Sequence, residues 1–224
     1  MTHMSPAVDS LSVMNEARRP KDTPATTPRG ESTKERIMQG AARVLAKRGY
    51  AATTLADIAK AAGVKAGSLY YYMENKEDLI RDLMTRGIVE THAYVEDAVQ
   101  SLDQDATSQD RLGAAIAAHM RYMLTKNDIA RASIRTLGQA PAEVQGPAIE
   151  LHRSYGHYFS ALIEDAKADG FLAPDIDARV LRLLIIGAAN WSTAWYQPTG
   201  AESADGIAEL LVRMAFGDML PREK

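Results

Sequence analysis

The sequence predicts an all-α protein of about nine helices, on three observations. Apolar residues recur three, four and seven positions apart along most of the chain. Capping and stop residues (Ser, Thr, Asp, Asn, Gly, Pro) fall between those runs. No segment shows the apolar–polar alternation of a half-buried strand. The 224 residues are enough for a sizeable core and one or two domains.

Residues 1–30 carry Pro20, Pro24, Pro28 and Gly30 without sustained periodicity, so a disordered tail is expected there. A capping box at Ser32 opens the first helix, whose apolar face is Ile37, Ala41, Val44 and Leu45 and whose end falls near Gly49. Thr54 opens the second helix, with Leu55, Ile58 and Ala59 turned inward. Gly63 supplies the left-handed turn, and Val64 and Leu69 complete a three-helix core. Asn75 caps a long fourth helix to about Ser101. Helices from about Asp110 to Lys126 and Asp128 to Leu137 follow, then a loop containing Pro141, Gly146 and Pro147. A long helix runs from that loop to about Asp169, closed by Gly170. Asp177 caps an apolar helix to about Tyr196, and Ser203 starts the last helix, which ends near Gly217. The organisation expected is a tail (1–30), a three-helix module (31–77, with its second and third helices at 54–73) and a larger helical domain (78–224).

No apolar run reaches the roughly 18 residues that span a bilayer, and no basic-then-apolar leader opens the sequence. A cytoplasmic location is expected. Without cysteine, disulfides, thiolate nucleophiles and Cys-built zinc sites are excluded. The net charge is −3, but it is unevenly placed. Residues 33–73 hold Lys34, Arg36, Arg43, Lys47, Arg48, Lys60 and Lys65 against Glu35 and Asp57, a net +5, which leaves −8 for residues 74–224. A basic module on an acidic body suits a protein that grips phosphate with one face.

Residues Thr54 to Lys76 read as a helix-turn-helix, whose second helix enters the DNA major groove by its N-terminal end. Lys65, Ala66, Gly67 and Ser68 occupy that end. Lys65 reaches a guanine edge or a phosphate, Ser68 donates or accepts at a base edge, and Gly67 permits close backbone approach. Tyr70, Tyr71 and Tyr72 splay around the helix; Tyr70 is expected in the scaffold and the others at phosphates or thymine methyls. Lys76 and Thr54 are placed to hold the DNA backbone.

In order and at fixed spacing, Thr53-Thr54, Asp57-Ile58-Ala59, Ala62-Gly63-Val64, Gly67 to Tyr72 and Asn75-Lys76-Glu77-Asp78-Leu79 resemble the N-terminal domain of the TetR family of repressors. The likeness covers about Glu31 to Leu83. It implies a nine-helix homodimer with a ligand-binding C-terminal domain, whose last two helices form a four-helix interface. By the family pattern Thr54, Lys65, Ala66, Gly67, Ser68, Tyr71, Tyr72 and Lys76 face DNA. Tyr72 stands where a histidine is common, and Ala56 where some members carry a base-reading arginine. The stretch Gly187 to Gly200 resembles TetR-type regulators of lipid, steroid and aromatic-acid catabolism, many of which answer to acyl-CoA thioesters.

In the C-terminal half, small residues beside Trp191 and Trp195, with the Ile207, Leu210, Leu211 and Met214 stripe, read as a dimer interface. Ligand-contact candidates are His119, Met123, Tyr155, Phe159, Arg182, Ile186 and Asn190, with Met120, His152 and Tyr158 nearby. Arg182 anchors a ligand anion, pairs with Asp175 or Asp177, or lies at the surface. The histidines read as core or surface residues, and no metal-ligand spacing is present. No catalytic residues, cofactor or metal are expected. The function expected is a repressor released from a palindromic operator by a small hydrophobic effector, with an acyl-CoA as the candidate. The alternatives are a regulator of drug efflux sensing lipophilic compounds, a helical carrier or enzyme using the central cavity, and an architectural DNA-binding protein with no effector, which predicts a filled C-terminal core where a sensor requires a cavity of a few hundred cubic ångströms.

Overall fold

The computed structural model describes residues 28–126 and 128–217. Expectations for residues 1–27 lie outside them. The described residues form nine α-helices, one π-helical turn and no strand. Helix α1 (Pro28–Arg48) begins upstream of the predicted start, so Ser32 lies within it and is no N-cap. Proline is well suited to that first position, where its missing N–H has no intrahelical partner. Helices α2 (Leu55–Ala62) and α3 (Ala66–Tyr72) meet at Gly63, which adopts φ 65°, ψ 38°. Helix α4 (Lys76–Gln100) is capped by the Asn75 side chain, which accepts from the Asp78 N–H.

Helix α5 (Ser108–Arg121) starts on a capping box of Thr107 and Asp110, two residues before the predicted start. It ends in a π-helical turn, Tyr122–Lys126, where an ordinary helix is predicted to continue. Helix α6 (Asp128–Thr136) is followed by α7 (Ala142–Ala168), which absorbs the predicted Gly146–Pro147 loop. Val144 and Ala148, four residues apart, are both buried, while Pro147 between them faces solvent. Their burial overrides the proline, which leaves the carbonyl of the exposed Glu143 in the first turn without its helical donor. Helices α8 (Ala178–Trp195) and α9 (Ala204–Ala215) are capped by Asp177 and Ser203 as predicted.

Two large hydrophobic cores and a small one of Tyr122, Met123 and Ala130 form among the described residues, and the large ones do not divide at residue 77. The first joins Ile37 and Leu45 of α1, Ile58, Leu69, and Leu79 and Leu83 of α4 to Ile129 and Ala132 of α6 and Val144 of α7. The second joins Ile88 and Val95 of α4 to α5, the later part of α7, α8 and α9. Helix α4 therefore runs through both. Where it passes from one to the other, Gly87 is buried against α6, and a Cβ there would lie 2.6 Å from the Ser133 Cβ and 3.3 Å from the Ala130 Cα. Ser133 completes the contact by donating to the Met84 carbonyl at 3.0 Å.

Overpacking this contact is expected to destabilise the fold. Gly87→Ala should lower the unfolding free energy by about 1–3 kcal/mol in denaturant titration. Adding Ser133→Gly should recover part of that loss, because the two substitutions act on one contact. Strict additivity would show that Gly87 is not there for α6.

Candidate nucleic-acid interface and effector cavity

The reading head is held by side chains that finish its helices. The Thr54 hydroxyl accepts from the Asp57 N–H and donates to its carboxylate at 2.8 Å, and Arg48 pairs with the same carboxylate at 2.7 Å. The Thr54 hydrogen bond, then Arg48, holds Asp57 below the usual carboxylate range against a small desolvation cost. Arg36 donates to the Ala62 and Gly63 carbonyls, and Arg43 to that of Ala61. These arginines satisfy the end of α2. Part of the positive charge read as phosphate-facing therefore serves the scaffold.

Lys65, Ala66, Gly67 and Ser68 are all exposed at the start of α3, and Leu69 is fully buried beneath them. A Cβ added at Gly67 would meet nothing within 4 Å. Its missing side chain thus serves no packing within the chain and leaves room for an outside partner. Tyr70 and Tyr71 are 60% and 67% exposed, whereas Tyr72 packs on the first core and edge-on to Tyr71. The expectation for Tyr70 is thus reversed. Leu69 and Met73 set the inward face, which Tyr72, three residues after Leu69, shares and Tyr70 does not. Lys76 donates to the Tyr50 carbonyl at 2.9 Å and lies 4.2 Å from that ring's centre. Its ammonium is turned to the α1–α2 loop in this conformation.

The buried cavity lies where α4 to α8 converge. Its wall is Gly87, Ile88 and Thr91 of α4, His119 of α5, Met123 of the π-helical turn, Ala130, Ser133 and Ile134 of α6, His152 and Tyr155 of α7, and Ile186 and Asn190 of α8. Five of the seven expected ligand residues line it. Phe159 lies behind the wall, fully buried and edge-on to His119 and Tyr155. Arg182 instead reaches α7, where a Cβ on Gly156 would stand 1.7 Å from its Nη1. Among the described residues it pairs with neither Asp175 nor Asp177, and its Nε is buried without a hydrogen-bond partner. Sequence reasoning missed the α4 and α6 walls. The one signal for them is a glycine in the middle of a long helix, which marks close packing.

His119 forms the polar centre. Its Nε2 lies 3.2 Å from Asn190 Oδ1 and its Nδ1 2.8 Å from the Tyr155 hydroxyl. The amide oxygen only accepts, so Nε2 carries the proton and Tyr155 donates to Nδ1. Desolvation lowers the His119 pKa to about 4, and burial also lowers that of His152. His152 Nε2 is buried with no partner. The cavity thus offers apolar walls and one free imidazole nitrogen. Its free volume is about 20 Å³, room for a water and no more. The few hundred cubic ångströms expected of a ligand pocket are absent in this closed arrangement.

A third feature is an apolar surface on the last two helices. Leu183, Leu184, Trp191 and Trp195 of α8 are 51–70% exposed, and Leu210 and Met214 of α9 join them. Ile207 and Leu211, expected there, are at most 9% exposed and face their own subunit's core. Among the described residues no three His, Asp or Glu side chains gather as metal ligands, and no helix is long and apolar enough to cross a membrane.

Residues 37–83 match the family described as bacterial regulatory proteins, tetR family, and residues 105–219 match the tetracyclin repressor-like C-terminal domain. The chain belongs to the TetR family. It is a DNA-binding transcriptional regulator built for a small effector and a second copy of itself. Among its relatives, the fatty acid metabolism regulator protein of Bacillus subtilis is 25% identical over 160 residues, spanning 71% of this chain and 81% of that one. The transcriptional repressor KstR2 of Rhodococcus jostii is 27% identical over 197 residues, 83% and 91% of the two chains. The fold is that of AibR solved with isovaleryl coenzyme A and operator DNA: TM-score 0.74, 23% identity, 82% of this chain and 98% of that one.

Two outcomes follow for this TetR-family chain. Gly67→Ala should leave the melting temperature unchanged or slightly raised, since alanine favours helix, yet weaken operator binding in a mobility-shift assay. Unchanged binding would show that nothing approaches that backbone. Stability should also fall as pH is lowered from about 6.5 to about 4, the ordinary and folded pKa values of His119. In that window the unfolded chain binds the proton and the folded chain does not, so the slope favours unfolding on acidification, by about 3 kcal/mol in all. His119→Gln should flatten that part of the profile.

Proposed function

We propose that this regulator is a repressor whose homodimer sets two α3 helices about one DNA turn apart on a palindromic operator, and that a CoA thioester filling the α4–α8 cavity releases it. The observation that carries the reading is the position of the cavity. Its wall includes Gly87, Ile88 and Thr91 of α4, and α4 begins four residues after the recognition helix ends. A ligand that opens the cavity must displace the helix that steers α3.

Apolar walls and a free His152 nitrogen suit an acyl group with one polar handle. The relatives' names, a fatty acid regulator and a structure holding isovaleryl coenzyme A, support a thioester. The residues proposed to face DNA are Lys65, Ala66, Gly67, Ser68 and Tyr71, with Thr54, Tyr72 and Lys76 at their margins. The exposed α8–α9 face is proposed as the dimer contact, since a patch of that size on a monomer calls for a partner.

Titrating acyl-CoA esters of graded chain length into an operator-shift assay tests the effector. Release by at least one length is expected; release by free lipophilic drugs alone would favour the efflux reading. Trp191→Glu should raise the dimer dissociation constant by roughly 30-fold or more, as loss of a central aromatic anchor does. Operator affinity should fall with it. A dimer of undiminished stability by analytical ultracentrifugation would move the interface elsewhere.

A further inference from the structure

We propose that the groove between α1 and α6 binds the phosphates of the effector's nucleotide end, so that one ligand touches both the sensor and the DNA-binding module. This rests on the thioester reading. The groove holds about 360 Å³ and is lined by Arg43 and Lys47 of α1 and Arg131 and Arg135 of α6, with Asp128 the one carboxylate among the described residues. Arg131 pairs with Asp128, and Arg43 gives one N–H to the Ala61 carbonyl. Lys47 and Arg135 are exposed and, among the described residues, make no ion pair. Four cations lining one cleft focus a positive field and repel one another until an anion enters. Two of them sit on a body, residues 74–224, that is otherwise acidic.

The groove also adjoins the buried cavity through shared wall residues. The cavity shares Ile134 and Asn190 with an outer groove along Gly187, Trp191 and Ala194. That groove shares Arg135 and Thr193 with the basic one. Asn190 and Thr193 are about one helical turn apart on α8, as are Arg131 and Ile134 on α6, and a turn is about 5 Å. From inside outward the path is apolar, then neutral, then cationic. A CoA thioester has the same sequence: an acyl group, an uncharged pantetheine arm, then a pyrophosphate and a 3′-phosphate. Trp191 also belongs to the proposed dimer face, so a second copy would roof the middle stretch. A phosphate held between α1 and α6 would tie the reading head directly to the sensor.

The test uses the full chain and the double variant Lys47→Ala/Arg135→Ala. Calorimetric titrations employ isovaleryl-CoA, decanoyl-CoA, decanoyl-3′-dephospho-CoA and the decanoyl N-acetylcysteamine thioester, which lacks the nucleotide. Operator affinity without ligand is measured alongside, on a fragment selected by in vitro enrichment. The variant should bind both CoA esters roughly tenfold or more weakly for each cation removed. It should lose the wild type's preference for decanoyl-CoA over its dephospho form, and bind the cysteamine thioester and the operator unchanged. If the variant binds the CoA esters as well as the wild type, the groove assignment falls while the thioester reading stands. If the wild type binds neither CoA ester, the thioester reading falls and takes this one with it. If the variant loses operator affinity without ligand, the cations serve DNA and the proposal is overturned.

Discussion

The approach of α4 to α6 at Gly87 is the contact on which the rest of the structure depends. It lets two long-range packings share one helix. Above it α4 joins the sensor core through Ile88 and Val95; below it α4 joins the reading-head core through Leu79 and Leu83. Any side chain at position 87 would part α4 from α6 and widen the cavity at the same point, since Gly87 and Ser133 both line it. Interiors are close-packed and yield in steps rather than continuously. A wedge in this cavity is therefore felt along α4 as a shift of a packed helix.

Polar ties carry the same junction. Arg86, one residue before Gly87, pairs with Glu35 of α1 and with Glu90 of α4, and Glu90 accepts from the Tyr122 hydroxyl at 3.2 Å. The Arg86 hydrogen bond holds Glu35 below the usual carboxylate range, although burial opposes it. A chain of polar contacts thus runs from α1 to the π-helical turn that places Met123 in the cavity wall. A second tie lies at the far end of α6, where Gln139 accepts from the Tyr50 N–H at 3.1 Å. Each half-exposed ion pair contributes little alone. Their value is geometric, because both join the DNA-binding module to elements that line the cavity.

Local signals made the helices legible. Thr54, Asn75, Asp177 and Ser203 each cap the helix predicted for them, and Gly63 takes the left-handed turn. The α3 residues were legible because their order at fixed spacing is a local pattern. What failed depended on tertiary packing. The Gly146–Pro147 stretch reads as a loop until Val144 and Ala148 are seen anchoring it. Tyr70 and Tyr72 look alike until Leu69 fixes the inward face. Arg182 shares a helix with the cavity residues Ile186 and Asn190, yet the space it enters is made by Gly156, 26 positions earlier on another helix. No single-helix pattern encodes that meeting.

The closed cavity constrains what an effector must supply. Shifting a two-state regulator from 1:99 to 99:1 takes about 5.5 kcal/mol of differential binding. Burying a methylene contributes about 0.8 kcal/mol, so an acyl chain acting alone needs about seven methylenes taken up by the opened state only. A branched short-chain ester cannot reach that through its acyl group. Phosphates held by cations, at about 1.5–3 kcal/mol per charge-assisted hydrogen bond, can supply the remainder if those contacts form only when α1 and α6 take their released positions. On the proposed thioester reading, the closed cavity and the cationic groove would be two parts of one switch: the acyl end would drive the walls apart, and the nucleotide end would fix where α1 comes to rest.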